Sequence, residues 1–274
     1  MQQRFKLHLQ REWQARRAAR ESGDRRAIGR TLHALDHATR RPAGPDGVIV
    51  PIMGFPMRGS TARTMHFLFN EVFLSGGYRF DCDRPDPTVV DGGANIGFAT
   101  LYFKRLFPEA VVHSFEANPG AFRFLEQNVR DNNLSDVHLH CNALWSHDGE
   151  IDFFVNGDTG MLRGSVRADR GGGTRVIVNA VRLSQLISQL DRVDAVKLDV
   201  EGAEHEILGE LLSSGLLARP ERYLIEYHHQ IGGDRPHLAE FLRPLEEAGY
   251  RYHVAATMQR VDHFQDILIH AVRA

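Results

Sequence analysis

Cysteine and long apolar runs are scarce in this chain, and their scarcity excludes several classes of protein. The chain has two cysteines, Cys82 and Cys141, and their spacing is not that of a paired metal-binding motif. We therefore predict reduced thiols that pack, rather than a disulfide or a zinc site. No uninterrupted apolar run approaches the roughly 18 residues that can span a bilayer, and the arginine-rich N-terminus lacks the apolar core of a secretory signal. We expect a cytoplasmic protein with no membrane partner.

A surplus of charge of one sign is also missing. The 274 residues carry a formal net charge of −2, and 42% of them are hydrophobic, as is ordinary for a globular protein. This net charge gives no general attraction to nucleic acid, so a nucleic-acid partner is not expected on this ground.

Basic residues are nevertheless concentrated at the N-terminus. Phe5, Leu9 and Trp13 recur at helical spacing between arginines, and Leu32 and Leu35 follow the same pattern. We predict a basic helical extension over residues 1–45. Its helices either cap the core, or pair two subunits in a homodimer, or contact an acidic carrier, a nucleotide-linked substrate or RNA.

The best candidate for a domain boundary is the proline- and glycine-rich stretch RPAGPDG, residues 41–47. Residues 46–274 are predicted to form one α/β domain, because strand patterns alternate with helix patterns from residue 88 onward. Ahead of residue 88 we predict a strand over 48–55 and a helix over 64–80, and within the alternation a strand near 137–143. This alternation favours an open, doubly wound, largely parallel sheet, in which ligands bind beyond the carboxyl ends of the strands. The rhythm breaks over about residues 150–182. There we predict a β insertion with strands over 151–155 and 175–181, whose glycine-rich loop either lines the binding pocket or lies on the surface.

The most informative motif is VVDGGANIG, residues 89–97, which has the pattern of a strand, a turn and the start of a helix. Glycines in such a turn let the backbone approach a ligand, and the helix directs unpaired N–H groups toward it. A second apolar strand ends in Glu116, 25 residues after Asp91. In a right-handed βαβ unit both acids lie at one sheet edge, where Glu116 can accept hydrogen bonds from both hydroxyls of a ribose. The alternative is that the glycines serve tight packing alone.

Two later motifs place acids and a histidine at strand ends. In VKLDVEGAEHEIL, residues 196–208, Asp199 ends a strand and can orient a hydroxyl or an amine, whereas Glu201 fits a helix start, where acids are common. In LIEYHH, residues 224–229, Glu226 and His228 share one strand face and form a candidate proton-accepting pair, unless His228 is structural. Asp199, Glu226 and His228 are also side chains that bind divalent metals. Nothing in the sequence fixes their spacing, so no metal site is predicted.

Taken in order, these motifs resemble those of the FkbM family of S-adenosylmethionine-dependent methyltransferases. The resemblance covers about residues 85–230, and neither end of the chain. The five matching segments are VVDGGANIG, SFEANP, CNALWSHDGEIDFF, KLDVEGAEHEIL and IEYH. Gly92 stands where a branched apolar residue is more usual, which should loosen the turn without abolishing binding.

The resemblance implies a fold, a cofactor and an acceptor. The implied fold is the Rossmann-like class I methyltransferase fold, a doubly wound seven-stranded sheet whose last strand, here residues 266–272, is antiparallel. S-adenosylmethionine is the implied cofactor, and the acceptor is a hydroxyl of a small molecule or glycan: a sugar, a polyketide or another secondary metabolite. The implied cofactor-binding residues are Asp91, Gly93, Asn95 and Gly97 for the methionine and ribose parts, Glu116 for the ribose hydroxyls, and Asn118, Asn142 and Ala143 for adenine.

For the chemistry, we predict that Glu226 and His228 form the base system and that Asp199 orients the acceptor hydroxyl. Three alternatives stay open. A nicotinamide-dependent dehydrogenase would use a similar ribose acid, but its usual GxGxxG spacing is absent, because Gly93 and Gly97 give GxxxG. A non-catalytic binding protein could keep a methyltransferase fold, and the basic N-terminal helices would suit an RNA methyltransferase.

Overall fold

The fold is taken from a computed structural model, in which residues 24–44, 46–155, 164–171, 173–233, 237–256 and 264–274 are described. The predicted helix containing Phe5, Leu9 and Trp13 lies outside these residues, as does most of the glycine-rich loop of the β insertion, at 156–163. Among the helices that are described, none combines the length and the apolar character that crossing a bilayer requires.

Helices and strands alternate along most of the chain. The helices are α1 (Arg25–Ala38), α2 (Ala62–Phe69), α3 (Phe98–Leu106), α4 (Pro119–Asp131), α5 (Ala168–Gly171), α6 (Leu183–Gln189), α7 (Glu204–Ser213) and α8 (Leu238–Glu247). The strands are β1 (Val48–Ile52), β2 (Phe55–Gly59), β3 (Thr88–Gly92), β4 (Val111–Phe115), β5 (Val137–His140), β6 (Ala143–Leu144), β7 (Gly149–Val155), β8 (Gly164–Ser165), β9 (Thr174–Val181), β10 (Ala195–Leu198), β11 (Arg222–His229), β12 (Tyr250–Ala256) and β13 (Gln265–Arg273). A π-helical turn, Asn70–Leu74, extends α2.

Seven strands form the main sheet, in the order β12-β13-β11-β10-β3-β4-β5. From β11 to β5 the neighbouring strands are parallel, and β13 is antiparallel to both β11 and β12. The seven-stranded sheet with an antiparallel last strand is therefore confirmed. This is the Rossmann-like class I fold that the resemblance implies.

The two faces of the sheet bury separate apolar clusters. Adjacent residues of β3 show the division, because Val89 packs with α2 and α3 whereas Val90 packs with α7 and α8. Both faces are thus covered, as in a doubly wound sheet. Ile28 and Leu35 of α1 belong to the same cluster as Val89, so the described part of the N-terminal extension packs on the main core. The boundary between residues 45 and 46 stays a prediction.

Three segments differ in detail from their predicted form. The single strand expected over residues 48–55 is a hairpin of β1 and β2, because the chain reverses at Met53 and Gly54, both with positive φ. The helix expected over 64–80 ends at Leu74, ahead of a turn through Gly76. A small sheet, ordered β6-β9-β7-β8, contains both strands predicted for the insertion, and it also takes Ala143, which was expected to continue β5.

Candidate active site

The register of the main sheet brings four predicted residues to one edge. Gly92 of β3 lies opposite both Phe115 of β4 and Leu198 of β10, and Leu198 lies opposite Ile225 of β11. The residues that come next along the chain are therefore Gly93 after β3, Glu116 after β4, Asp199 after β10 and Glu226 within β11. All four line a pocket of about 910 Å³, part of which is open to solvent, and predicted residues Asn95, Asn142 and Ala143 line it as well.

Gly93 is required by its backbone conformation and by its neighbour. Its φ is 75°, and a Cβ added there would lie 1.8 Å from the carbonyl oxygen of Asp199. The N–H groups of Gly93 and Ala94 both donate to the carbonyl of Phe115, at 3.0 and 2.9 Å. The turn is thus fixed between the ends of β4 and β10, with its backbone at the pocket wall.

Gly92 is also closely surrounded. A Cβ at this position would lie 2.9 Å from Leu144 Cδ1 and 3.2 Å from Leu198 Cδ2. Leu144 therefore fills the space that a branched side chain at position 92 would need, and the turn is not loosened by an empty volume there.

The carboxylate of Glu116 is held at the pocket by two backbone donors. Its Oε2 accepts from the N–H of Asn95 and its Oε1 from the N–H of Asn118, each at 2.7 Å. Burial raises the pKa of Glu116 to about 7, although the two N–H donors lower it. Each oxygen keeps a further lone pair for a ligand. Asn118 in turn caps α4, because its Oδ1 accepts from the N–H of Gly120 at 2.9 Å.

Asp91 lies beneath the pocket instead of lining it. The residue is fully buried; its Oδ2 accepts from the hydroxyl of Thr100 at 2.7 Å, and its Oδ1 lies 3.2 Å from Lys197 Nζ. Lys197 donates to the carbonyls of Gly92 and Gly93, at 3.1 and 2.8 Å. Asp91 therefore acts on the glycine turn through Lys197. Gly97 and Asn118 likewise shape the pocket without being among its described lining residues.

A second group of polar side chains surrounds Asp199 and Glu226. The hydroxyl of Tyr78 lies 3.2 Å from Asp199 Oδ2 and 3.1 Å from Glu226 Oε2, and can donate to either carboxylate. Lys197 Nζ lies 3.6 Å from Asp199 Oδ2. Burial, with the negative charge of Asp199, raises the pKa of Glu226 to about 8. Asp199 and Glu226 are therefore linked through Tyr78 and face the pocket together.

His228 lies behind these two acids, with only 1% of its side chain exposed. Its Nδ1 is 2.7 Å from Glu204 Oε1, and its Nε2 is 3.3 Å from Glu201 Oε2 and 3.8 Å from Asp199 Oδ1. Burial alone would lower the pKa of His228, but these carboxylates outweigh it and raise the pKa to about 10. His228 is thus hydrogen-bonded to Glu204, and its predicted role with Glu226 in a base system stays a prediction. In this arrangement Nδ1 is engaged by Glu204, and Nε2 faces the acids of the pocket.

Comparison with known proteins decides the family. A family profile described as "Methyltransferase FkbM domain" matches residues 91–252, more than half of the chain. The chain belongs to the FkbM methyltransferase family. The resemblance carried by the five motifs is confirmed, and methyltransferase function is supported.

Two named methyltransferases and one solved structure are similar to parts of this chain. The chain is 33% identical over 174 residues to "Methyltransferase sdnD" of Sordaria araneosa, covering 52% of this chain and 67% of that protein. It is 29% identical over 142 residues to "2-O-methyltransferase NoeI" of Sinorhizobium fredii, covering 46% and 58%. The crystal structure of methyltransferase FkbM from Methylobacillus flagellatus aligns with a TM-score of 0.49 at 14% identity, covering 89% and 59%. These matches span about two thirds or less of each protein compared.

Two residues of this FkbM site were missed from the sequence. Tyr78 lies in a segment predicted only as helix, and its role depends on contacts 121 and 148 residues away along the chain. Lys197 could have been found, because it is the one charged residue of β10 and therefore interrupts an apolar strand.

The structure of this FkbM site also gives the distances between the three candidate metal ligands, which the sequence could not provide. One potential ligand atom from each of Asp199, Glu226 and His228 lies within 4.8 Å of the other two.

Proposed function

We propose that this chain is an S-adenosylmethionine-dependent O-methyltransferase that acts on a hydroxyl of a small-molecule or glycan acceptor. The observation that carries the proposal is the order of acids along one pocket. Glu116 follows β4, Asp199 follows β10 two strands away, and Glu226 lies within β11 three strands away. At about 4.8 Å per strand, these separations are about 10 and 14 Å, a suitable span from a ribose to the acceptor of its methyl group.

The cofactor end fits S-adenosylmethionine in two respects. The carboxylate of Glu116 is oriented by two N–H donors and keeps lone pairs for the two ribose hydroxyls. The turn at Gly93 brings backbone to the pocket wall where a Cβ would not fit. When bound, the cofactor supplies a sulfonium methyl group that is already electrophilic. Asn142 and Ala143 line the wall proposed for adenine.

At the acceptor end, the chain has to position an oxygen and receive its proton. Asp199 and Glu226 present carboxylate oxygens that can hold a hydroxyl by its proton, and Tyr78 fixes both acids through its own hydroxyl. Lys197 holds Asp199 from below. Positioning the acceptor oxygen in line with the methyl carbon and the sulfur makes the largest contribution to the rate enhancement.

Two observations support a hydroxyl on a small acceptor. NoeI, which shares 29% identity over 142 residues, is named a 2-O-methyltransferase. The pocket wall formed by α2 and its π-helical turn combines apolar Phe67 and Leu68 with polar Thr64 and Glu71. Such a wall suits an acceptor that has both apolar faces and hydroxyls, as sugars and polyketides do.

The test is calorimetric titration of S-adenosylhomocysteine into the wild-type chain and into Glu116→Ala. We expect micromolar binding that the substitution weakens at least tenfold, about 1.4 kcal/mol. Glu109→Ala, which removes an exposed acid, is the matched control and should bind like the wild type. A well-folded wild-type protein that does not bind would contradict the cofactor assignment.

The acceptor is then sought with radiolabelled S-adenosylmethionine and a panel of hydroxyl compounds, with amine analogues of the same compounds as controls. Label transferred only to the amines would contradict O-methylation while leaving the cofactor assignment intact.

A further inference from the structure

The acceptor end of the pocket holds three side chains whose donor atoms converge on one point. The ligand atoms of Asp199, Glu226 and His228 all lie within 4.8 Å of one another. For three such atoms there is always a point within about 2.8 Å of each, and metal–ligand distances of about 2.0–2.2 Å need only small side-chain movements from there. We propose that these three residues bind one divalent cation.

The orientation of His228 is an independent observation in favour of a cation. Its Nδ1 is paired with Glu204 Oε1 at 2.7 Å, which leaves Nε2 to face the acids of the pocket. Within the described part of the chain, Nε2 is buried and has no hydrogen-bond partner; Glu201 Oε2 is near, at 3.3 Å, but without hydrogen-bond geometry. A histidine that binds a metal is typically held in this way, with one ring nitrogen on a carboxylate and the other on the ion.

The charges around the site leave room for a cation. Among the described residues, two fixed positive side chains lie next to it, and both are engaged: Lys197 with Asp91 and Asp199, and Arg170 with Glu201. Glu204, buried beside His228, and Glu226, half-buried at the pocket, add two further carboxylates. Carboxylates accumulated at low exposure are costly unless a positive charge compensates them.

The donor set indicates the class of ion. Two carboxylates and one imidazole suit a first-row divalent metal such as Mn²⁺, since carboxylates alone favour Mg²⁺ or Ca²⁺ and imidazole favours later transition metals. Three protein ligands leave open positions toward the pocket.

Its role rests on the proposed function, because an acceptor hydroxyl would take one of the open positions. A coordinated hydroxyl releases its proton to water more readily. The oxygen then forms its bond to the methyl carbon as the carbon–sulfur bond breaks and its electron pair stays on sulfur, giving a methyl ether and S-adenosylhomocysteine. The bound ion and the carboxylates that hold it would share the task of placing the acceptor.

The test is a titration of the chelator-treated full chain with Mn²⁺ alone, without cofactor or acceptor. Binding is measured as the loss of the electron paramagnetic resonance signal of free Mn²⁺. We expect saturation at one ion per chain. Glu226→Gln and His228→Asn should each weaken binding at least tenfold. Asp266→Asn, which changes an acid 3.9 Å from His228 that is not a proposed ligand, should bind as the wild type does.

Absence of saturable Mn²⁺ binding by the wild type, or binding that neither ligand variant weakens, would overturn the proposal. Circular dichroism of the same samples shows whether each variant is folded. S-adenosylhomocysteine titration separates the two proposals: a chain that binds Mn²⁺ but not S-adenosylhomocysteine contradicts the proposed function alone, and the reverse contradicts the metal site alone.

Discussion

The two ends of the pocket are built in different ways. At the cofactor end, backbone groups do most of the positioning: the N–H groups of Asn95 and Asn118 hold Glu116, and the turn at Gly93 has no room for a side chain. At the acceptor end, side chains position one another, as Tyr78 does for Asp199 and Glu226. The cofactor end therefore depends on chain conformation, and the acceptor end on the exact chemistry of several side chains.

This difference predicts that substitutions at the acceptor end lower turnover, whereas substitutions at the cofactor end lower the affinity for the cofactor. The largest effect is expected at the acceptor end. Asp199→Asn or Glu226→Gln should lower turnover by about 10²–10⁴, the range found when a positioned acid or base is lost. Affinity for S-adenosylhomocysteine should change less than about threefold, or about 0.65 kcal/mol. Steady-state kinetics and calorimetry on the same preparations test this, and equal losses in turnover and affinity would mean that the two ends are not separate.

Gly93→Ala should damage the cofactor end instead. The new Cβ would meet the carbonyl oxygen of Asp199, in a backbone conformation that costs about 1–3 kcal/mol for a residue other than glycine. Denaturant unfolding should show a loss of at least that size, with weaker S-adenosylhomocysteine binding. The matched control is Gly209→Ala in α7, where a Cβ would meet nothing within 4 Å. Because alanine favours the helix over glycine, this substitution should raise the free energy of unfolding by about 0.5–1 kcal/mol. If Gly93→Ala and Gly209→Ala had the same free energy of unfolding and the same affinity for S-adenosylhomocysteine, glycine would not be required at position 93.

The pH dependence of cofactor binding should follow Glu116. Its pKa is raised to about 7, and the ribose hydroxyls need the ionised carboxylate as acceptor. Binding should therefore be strong above pH 7 and weaken as the pH falls, by about tenfold between pH 8 and pH 6. Calorimetry at the two pH values measures this, and Glu116→Gln should bind weakly with no such dependence. Affinity that rises at pH 6 would show that the neutral acid is the binding form.

Tyr78→Phe should give the smallest effect. The substitution removes one hydroxyl that is within 3.2 Å of both pocket acids, and a hydrogen bond of this kind contributes about 0.5–1.5 kcal/mol. Turnover should fall about two- to tenfold, while S-adenosylhomocysteine affinity is preserved. If Tyr78→Phe turned over as fast as the wild type, the hydroxyl of Tyr78 would not be needed, and Lys197 and the backbone would suffice to position Asp199 and Glu226.

The same contrast explains what the sequence could predict. Strand ends and glycine turns are local patterns, and a parallel sheet brings its strand ends to one edge, so Glu116, Asp199 and Glu226 could be placed together. Tyr78 could not, because its partners follow more than a hundred residues later. Alternation along β11 put Glu226 and His228 on one face, but it carried no information about α7, whose Glu204 pairs with His228.

The wall that α2 contributes has a consequence for how such an enzyme diversifies. Thr64, Phe67, Leu68 and Glu71 reach the pocket from a single helix and its π-helical turn, apart in sequence from the glycine turn and from both pocket acids. Under the proposed function, mutations confined to this short segment should change acceptor choice while the glycine turn and the two acids are inherited unchanged. Natural variation among close descendants of this gene should therefore concentrate in α2, and a laboratory evolution library for new acceptors should begin there.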